Sequence, residues 1–530
     1  MGKYPPYLPS ECLQEIFKYI DENDTKTLHS LLLVNQLWCS NIVPILWRNP
    51  FKNQKKEKIS YKILLTLLSY KPFTTTTTTT YTLSSTSTYD DDDDDKEEPI
   101  IKSFNESTIT TRFDYPYFIK KLDLTNMLKM IFYLTEDKRK EAEEIKFKNL
   151  KKYKNSSSIF EKIWKIITFN SNIETLIINT IDCHKFSKYF EFFFKIPETK
   201  KCFSTLKSLT LKLKPQDSLI LSELINCIND KIKDIELEIS HKSTITCFDS
   251  NLIINLISSQ KNLEKFHYKD DSENLFVYPI ILKLRDHSHS IKSLTLEQSC
   301  NIDVDLFGSF ENFHNLEELS FKNFNFEGNH DLFTNIKFPK LKSLSFDEIK
   351  SRNQQYMAYV SEPIMNFIQN HSTNLNHLSL NVLDVIMKDT FKTISQCCSN
   401  LTSFSCATND QNDMKFIYLI FKNNPYLKSI DLCIIFPIRN SILETFAREI
   451  PESINNITIG YSILGKVQVN TFLKELKCDK LKSFKFNWQN PKNVNIDKMA
   501  REISKGKGWI FKGCELKPTQ YQHTYIIEWE

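Results

Sequence analysis

The stretch LKSLTL at 206–211 returns as IKSLTL at 291–296 and as LKSLSF at 341–346. Its first, fourth and sixth positions are apolar, and small or charged residues stand between them. Read as L-x-x-L-x-L, the pattern also appears as IKKLDL at 119, IETLII at 173, IKDIEL at 232, LEKFHY at 263 and LEELSF at 316. It continues as LNHLSL at 375, LTSFSC at 401, LKSIDL at 427, INNITI at 454 and LKSFKF at 481. Alternation over the last positions is the period of a strand with one buried face. The motifs start 25–34 residues apart after a first interval of 54, which leaves room for one strand and one returning segment per unit. Helical patterns fill the intervals, as in PIRNSILETFAREI at 437–450, where Ile438, Ile442, Phe446 and Ile450 share a stripe.

Strand and helix alternating at a period in or near 20–29 residues resemble leucine-rich repeats. CCSNLTSFSC at 397–406 resembles their cysteine-containing subtype. The resemblance implies a curved α/β solenoid, with the three apolar motif positions in its core and the intervening ones on a concave face. That face would repeat Lys-Ser, as at Lys207-Ser208, Lys292-Ser293, Lys342-Ser343, Lys428-Ser429 and Lys482-Ser483, interrupted by Glu317-Glu318. Lys292, Glu317, Glu318, Lys342, His377 and Lys428 are the candidates for facing a target. No Trp, Tyr or Arg stands at these positions, so the usual hot-spot anchors are missing there. The Asn or Cys of the repeat consensus, three residues past the last strand leucine, is nearly absent; Asn409 is one of the few that fit.

Outside the repeats, LLLVNQLWCSNIVPILW at 31–47 packs two of the six tryptophans into the first fifty residues. Leu13, Ile16, Phe17 and Ile20 form a helical stripe beginning near Ser10, which is a plausible cap. Asp24 is a candidate cap for a second helix. A third helix from Leu31 would carry Val34, Leu37, Trp38 and Ile42 inward, and Pro44 would set PILW off as a separate short element. Three helices in about fifty residues cannot hide so many large apolar side chains by themselves. Part of that surface either packs on the rest of the chain or awaits another protein.

LPSECLQEIFKYI followed by LHSLLLVNQLWCSNIVPILW resembles an F-box over about Tyr7 to Phe51. The resemblance implies docking to a Skp-type adaptor and, through it, to a cullin-RING ubiquitin ligase. Carried onto matching positions, the adaptor surface would draw on Leu8, Pro9, Leu13, Ile16, Leu31, Val34 and Trp38.

The domain reading is therefore a helical F-box at 1–52, a helix and linker at 53–112, and a repeat array at 113–530 with a possible insertion at 135–160. The linker contains TTTTTTTYTLSSTSTYDDDDDDKEEP, which is too polar to build a core. The insertion carries the basic run KRKEAEEIKFKNLKKYK at 138–154, read as a solvated helix.

Composition narrows the function. Charges nearly cancel, 69 Lys and Arg against 65 Asp and Glu, which gives no electrostatic case for nucleic acid. Apolar runs such as FIYLIF at 416–421 are far shorter than the ~20 residues that span a bilayer. Thirteen scattered cysteines and no secretory pattern suit reduced thiols in the cytoplasm or nucleus. Only eight glycines leave few sites for phosphate-cradling loops. GYSILGKV at 460–467 satisfies G-x-x-x-x-G-K, yet Val467 replaces the magnesium-holding hydroxyl and Ile463-Leu464 crowd the backbone, so a repeat turn is the better reading. There is no Cys-x-x-Cys, and His287-Ser288-His289 and Cys183-His184 are isolated pairs, so neither metal nor cofactor is expected. The sequence thus favours a target-recognition subunit of a ubiquitin ligase with no catalysis of its own. The alternatives are an F-box scaffold without ubiquitin transfer and a nucleotide-dependent enzyme at 460–467.

Overall fold

The computed structural model describes residues 8–22, 24–52, 57–70, 113–132, 156–181, 187–240, 249–270, 277–298, 301–302, 308–323, 325–326, 336–347, 357–382, 388–478, 481–488, 496–507, 511–518 and 523–529. The low-complexity linker and the basic run at 138–154 lie outside them. The chain divides into two compact units, Met1–Ile232 and Lys233–Glu530.

The first unit opens with helices α1 (Ser10–Phe17), α2 (Thr25–Leu31) and α3 (Gln36–Leu46). Asp24 caps α2 as its sequence position predicts, accepting from the Thr27 N–H at 3.1 Å and from the Thr27 hydroxyl. Ser10 is not a cap. The cap position falls to Pro9, and the Ser10 hydroxyl instead donates to Asn41 Oδ1 at 3.0 Å. The third helix starts later than expected, because the Asn35 side chain accepts from the Trp38 N–H at 2.9 Å and so fixes a new start. The helix also runs through Pro44 to Leu46. Proline removes one N–H there, but the Trp47 N–H still reaches the Val43 carbonyl at 3.0 Å, and PILW is no separate element.

After a fourth helix, Glu57–Leu68, come three parallel strands: β1 (Lys121–Asp123), β2 (Thr175–Asn179) and β3 (Ser208–Leu213). Their register sets Leu122, Leu176 and Leu209 abreast, all fully buried, as the motif requires. Helix Ser156–Asn170 buries Trp164, whose indole N–H lies 3.2 Å from Thr199 Oγ1, with the Phe193 ring 4.7 Å away. Ile159 and Phe160, at the end of the expected insertion at 135–160, are buried too and belong to the core.

Strands of the first unit are joined by one recurring bond pattern. The N–H groups of Lys207 and Ser208 both donate to the Glu174 carbonyl, and those of Glu174 and Thr175 to that of Lys120. Lys120 and Lys121 in turn donate to the carbonyl of Arg48, at 3.0 and 2.9 Å. Arg48, two residues past α3, thereby takes the place of a preceding repeat, and the Trp47 ring packs at a tilt against Tyr115, 4.5 Å away. The helical module is built into the start of the repeats.

The second unit repeats the scheme through parallel strands β4 (Asp234–Ile239), β5 (Lys265–Asp270), β6 (Ser293–Gln298), β8 (Glu318–Lys322), β10 (Ser343–Asp347), β11 (His377–Asn381), β12 (Ser403–Thr408), β13 (Ser429–Ile434), β14 (Asn456–Leu464) and β15 (Ser483–Trp488). Two short strands, β7 (Asn301–Ile302) and β9 (Asn325–Phe326), pair beside them. Motif leucines align from strand to strand, as Leu294, Leu319 and Leu344 do, and are buried. Between them run helices such as Lys388–Cys397, Met414–Asn423 and Asn440–Glu449. The chain then departs from the repeat. β16 (Phe511–Pro518) and β17 (His523–Trp529) form an antiparallel pair whose β17 docks antiparallel on β15. Trp529 is buried and its indole donates to Ser504 Oγ at 2.7 Å. An antiparallel closure of this kind covers the last parallel edge, which would otherwise be an open template for pairing.

Asn409 is exposed and does not serve as the consensus rung. The turns after the strands are held instead by buried threonine–aspartate pairs: Thr180 donates to Asp217, and Thr408 to Asp413 at 3.0 Å. Asparagines work at the other strand end, just before the first motif leucine. Asn315, Asn374 and Asn400 donate to the carbonyls of His289, Pro339 and Thr373 in the preceding repeat, at 2.7–3.0 Å.

Candidate interaction surfaces

In the helical module, Leu13, Phe17, Leu28 and Ile42 make the core, with Leu31, Leu37 and Trp38 packed partly buried against it. Trp38 meets Phe17 edge-on at 5.2 Å. A polar clasp joins α1 to α3: Ser10 and Gln14 both donate to Asn41 Oδ1, at 3.0 and 3.1 Å, while Asn41 Nδ2 donates to the Leu37 carbonyl at 2.8 Å. With that core closed, several large apolar side chains stay outside it. Leu8 and Ile16 are 48% exposed, Val34 53%, Leu33 87% and Tyr19 90%.

The seven residues suggested by the F-box resemblance therefore fall into three groups. Leu8, Pro9, Ile16 and Val34 are on the surface; Leu31 and Trp38 are half-buried; Leu13 is fully buried and acts on any partner only through the shape of the module. Val34 does not point inward as its helical phase predicts, because residues 32–34 are a turn between α2 and α3. Leu33 and Tyr19 went unnoticed in the sequence. The signal was Asn35: a cap before Gln36 ends the preceding helix and turns Leu33 and Val34 outward.

On the open face of the second unit, the second motif position forms a charge ladder. Glu264 accepts from both Lys233 and Lys292, and Lys342 pairs with Glu317 at 2.7 Å. The two lysines hold the Glu264 carboxyl at about 2, well below the usual carboxylate range. Lys342 likewise lowers Glu317. A second ladder runs along the far column, where Lys269 lies between Glu238 at 3.5 Å and Glu297 at 3.0 Å. Lys292, Glu317 and Lys342 are thus paired within the chain, and Glu318 accepts from Ser293 Oγ at 2.8 Å. His377 and Lys428 are exposed, and among the described residues the Lys428 side chain has no ion-pair partner. The alternation Lys233, Glu264, Lys292, Glu317, Lys342 is visible in the sequence once the motifs are aligned.

Beyond β8 the face changes character. Ser345, Ser379, Ser403, Ser405, Ser429 and Thr458 floor it, and Asp347 gathers hydrogen bonds from Ser345, Ser379 and Asn381 at 2.6–3.0 Å. At the strand-start edge of β5–β8 lie two adjoining hollows of about 410 and 660 Å³, which share His289 and Asn315 and carry Arg285, His314 and Lys340.

No phosphate cradle forms at 460–467. Gly460 to Leu464 are strand, with a register irregularity against β15, where a turn was expected. The Gly465 N–H, which a phosphate would need, is taken by Gln468 Oε1 at 2.7 Å. Among the described residues no group of three or more His, Cys, Asp or Glu could hold a metal ion. None of the described helices is long and apolar enough to cross a membrane.

An F-box-like family model matches residues 6–53. Among solved structures, an internalin from Listeria monocytogenes aligns at 10% identity over 55% of this chain and 86% of its own, with a TM-score of 0.28. A Bacteroides fragilis protein aligns at 10% identity over 57% and 84%, with a TM-score of 0.31. The search of curated proteins returned no match. The chain combines an F-box-like domain with leucine-rich repeats, an assembly made for protein–protein interaction.

Proposed function

We propose that this protein is the target-recognition subunit of a cullin-RING ubiquitin ligase of the SCF type. Its F-box docks a Skp-type adaptor, and its repeats hold a protein target. The chain itself contributes no catalysis. It raises the effective concentration of a target lysine at the charged ubiquitin-conjugating enzyme. Work in the cytoplasm or nucleus goes with this role.

One observation supports the reading above the rest: Leu8 ahead of α1, Ile16 on it, and Leu33 and Val34 in the α2–α3 turn stay exposed although the module's own core is complete. Several large apolar groups left exposed in so small a module favour a protein partner. The target surface has two candidate stretches. One is the strand-start edge of β5–β8, with Arg285, His289 and His314; the other is the hydroxyl floor beyond β8, with exposed His377 and Lys428. The paired charges of Lys292, Glu317 and Lys342 make them weaker candidates, since a partner must first compete with the ladder.

Co-purification of a Skp-type adaptor with the full chain tests the first step, and failure to bind would remove the ligase reading. Ubiquitylation of a captured target by the reconstituted complex tests the second. Adaptor binding without any ubiquitin transfer would favour the scaffold alternative.

A further inference from the structure

Nine cysteines of the described residues are free thiols. Their surroundings differ. Cys202, Cys406 and Cys478 are fully buried, and burial pushes the Cys202 thiol up to about 12. Burial likewise raises Cys227 to about 11 and Cys433 to about 12. Such thiols stay protonated and are poor nucleophiles.

One pair is different. Cys397 ends the helix Lys388–Cys397, half-buried, and its sulfur lies 3.8 Å from the sulfur of the adjacent Cys398. Cys398 is buried, its N–H donates to the Ile394 carbonyl and its own carbonyl accepts from Asn424 Nδ2 at 2.9 Å, so the backbone there is pinned. Two thiols in contact divide the labour. The buried one keeps its proton and offers it to the other, and Ser372 lies beside the accessible sulfur. The Cys398 thiol, aided by Ser372, brings Cys397 down to about 7, while Cys398 itself is pushed up. A reactive sulfur with partial access and a second sulfur next to it is the arrangement of a redox-responsive dithiol.

We propose that Cys397 and Cys398 are a peroxide-reactive modification site, with Cys397 the attacking sulfur and Cys398 the resolving one. The Cys397 thiolate attacks the near oxygen of a hydroperoxide, the O–O bond breaks, and Cys397 becomes a sulfenic acid while the leaving alkoxide or hydroxide takes a proton. The Cys398 sulfur then attacks the sulfenic sulfur, the S–O bond breaks, and its thiol proton leaves with the hydroxide as water. The sum is a dithiol oxidised to a disulfide by one peroxide. The product closes an eight-membered ring between neighbouring residues, a strained link that a cellular dithiol would reopen readily.

The test uses the reduced full chain and limiting hydrogen peroxide, with dimedone to trap sulfenic acid and peptide mass mapping to place it. Wild type should lose two hydrogens on the 397–398 peptide before any other cysteine is modified. Cys398→Ser should instead accumulate a dimedone adduct on Cys397, and Cys397→Ser should slow oxidation of that peptide by about tenfold or more. Alkylation rates in unsubstituted protein give a second readout that needs no variant: Cys397 should react ahead of the exposed Cys12. If Cys397 is labelled no faster than Cys433, or if Cys397→Ser leaves the peptide's oxidation rate unchanged, the assignment is wrong.

Discussion

Leu8→Ala combined with Ile16→Ala separates an interface from a core. Each side chain leaves 48% of its surface exposed in the free protein. That is roughly 90 Å² of apolar area, worth about 2 kcal/mol if a partner covers it at ~25 cal/mol per Å². Truncation to alanine forfeits about 1–1.5 kcal/mol of this per site, so the pair should weaken adaptor binding by roughly 30- to 150-fold. The free chain should hardly notice, because exposed substitutions of this kind fall within about 0.5 kcal/mol. Leu13→Ala is the contrasting variant. Leu13 has no exposed surface and sits against Phe17, Leu28 and Ile42, so its truncation should cost about 2–5 kcal/mol of module stability. Calorimetric titration against a purified Skp-type adaptor gives the affinities, and circular-dichroism melts give the stabilities. If the double variant binds as well as wild type, these exposed residues are not the docking surface. If it melts like Leu13→Ala, they were structural after all.

Asn424→Ala should lower stability by about 2–4 kcal/mol in urea titrations, because it strands the Leu401 N–H and the Cys398 carbonyl, bonded at 2.8 and 2.9 Å; a loss under 1 kcal/mol would mean water takes over. Stability should also fall on mild acidification. Burial lowers both His287 and His371, and the Nε2 of His371 accepts from the Phe338 N–H at 2.9 Å, which holds that ring neutral. The folded values lie below the unfolded one, so the unfolded chain binds more protons below about pH 6.5. Stability is then complete above that pH and declines beneath it, by at most about 1.4 kcal/mol per pH unit for each histidine. Urea midpoints that are flat from pH 7.5 to 5.5 would contradict this. Glu264→Gln should change stability by less than about 1 kcal/mol, since the ladder is solvent-accessible, but should reduce the salt dependence of the melt; an unchanged salt response would show that the ladder contributes nothing.

The repeats were legible because their signal is purely local. Leu206, Leu209 and Leu211 alternate with the period of a strand, and thirteen copies at similar spacing admit one stacking rule, which the register of Leu294, Leu319 and Leu344 obeys. The helical module was legible in its elements, but two of its boundaries were not. Apolar runs have no phase of their own, so LLLV reads equally well as the start of a helix or the end of one until Asn35 is given its role as cap.

What the tertiary structure alone decided concerns pairs distant in sequence. Nothing near Arg48 says that its carbonyl will accept from Lys120 and Lys121, and nothing near Trp529 says that it will cover the edge at β15. Nor does any local rule tell that Lys292 is occupied by Glu264, or that the buried Cys398 thiol meets Cys397. Periodicity fixes which face of an element is apolar. Whether a polar or apolar group on either face is left over for a partner depends on which other chain segment has already reached it, and that is settled only when the repeats are stacked.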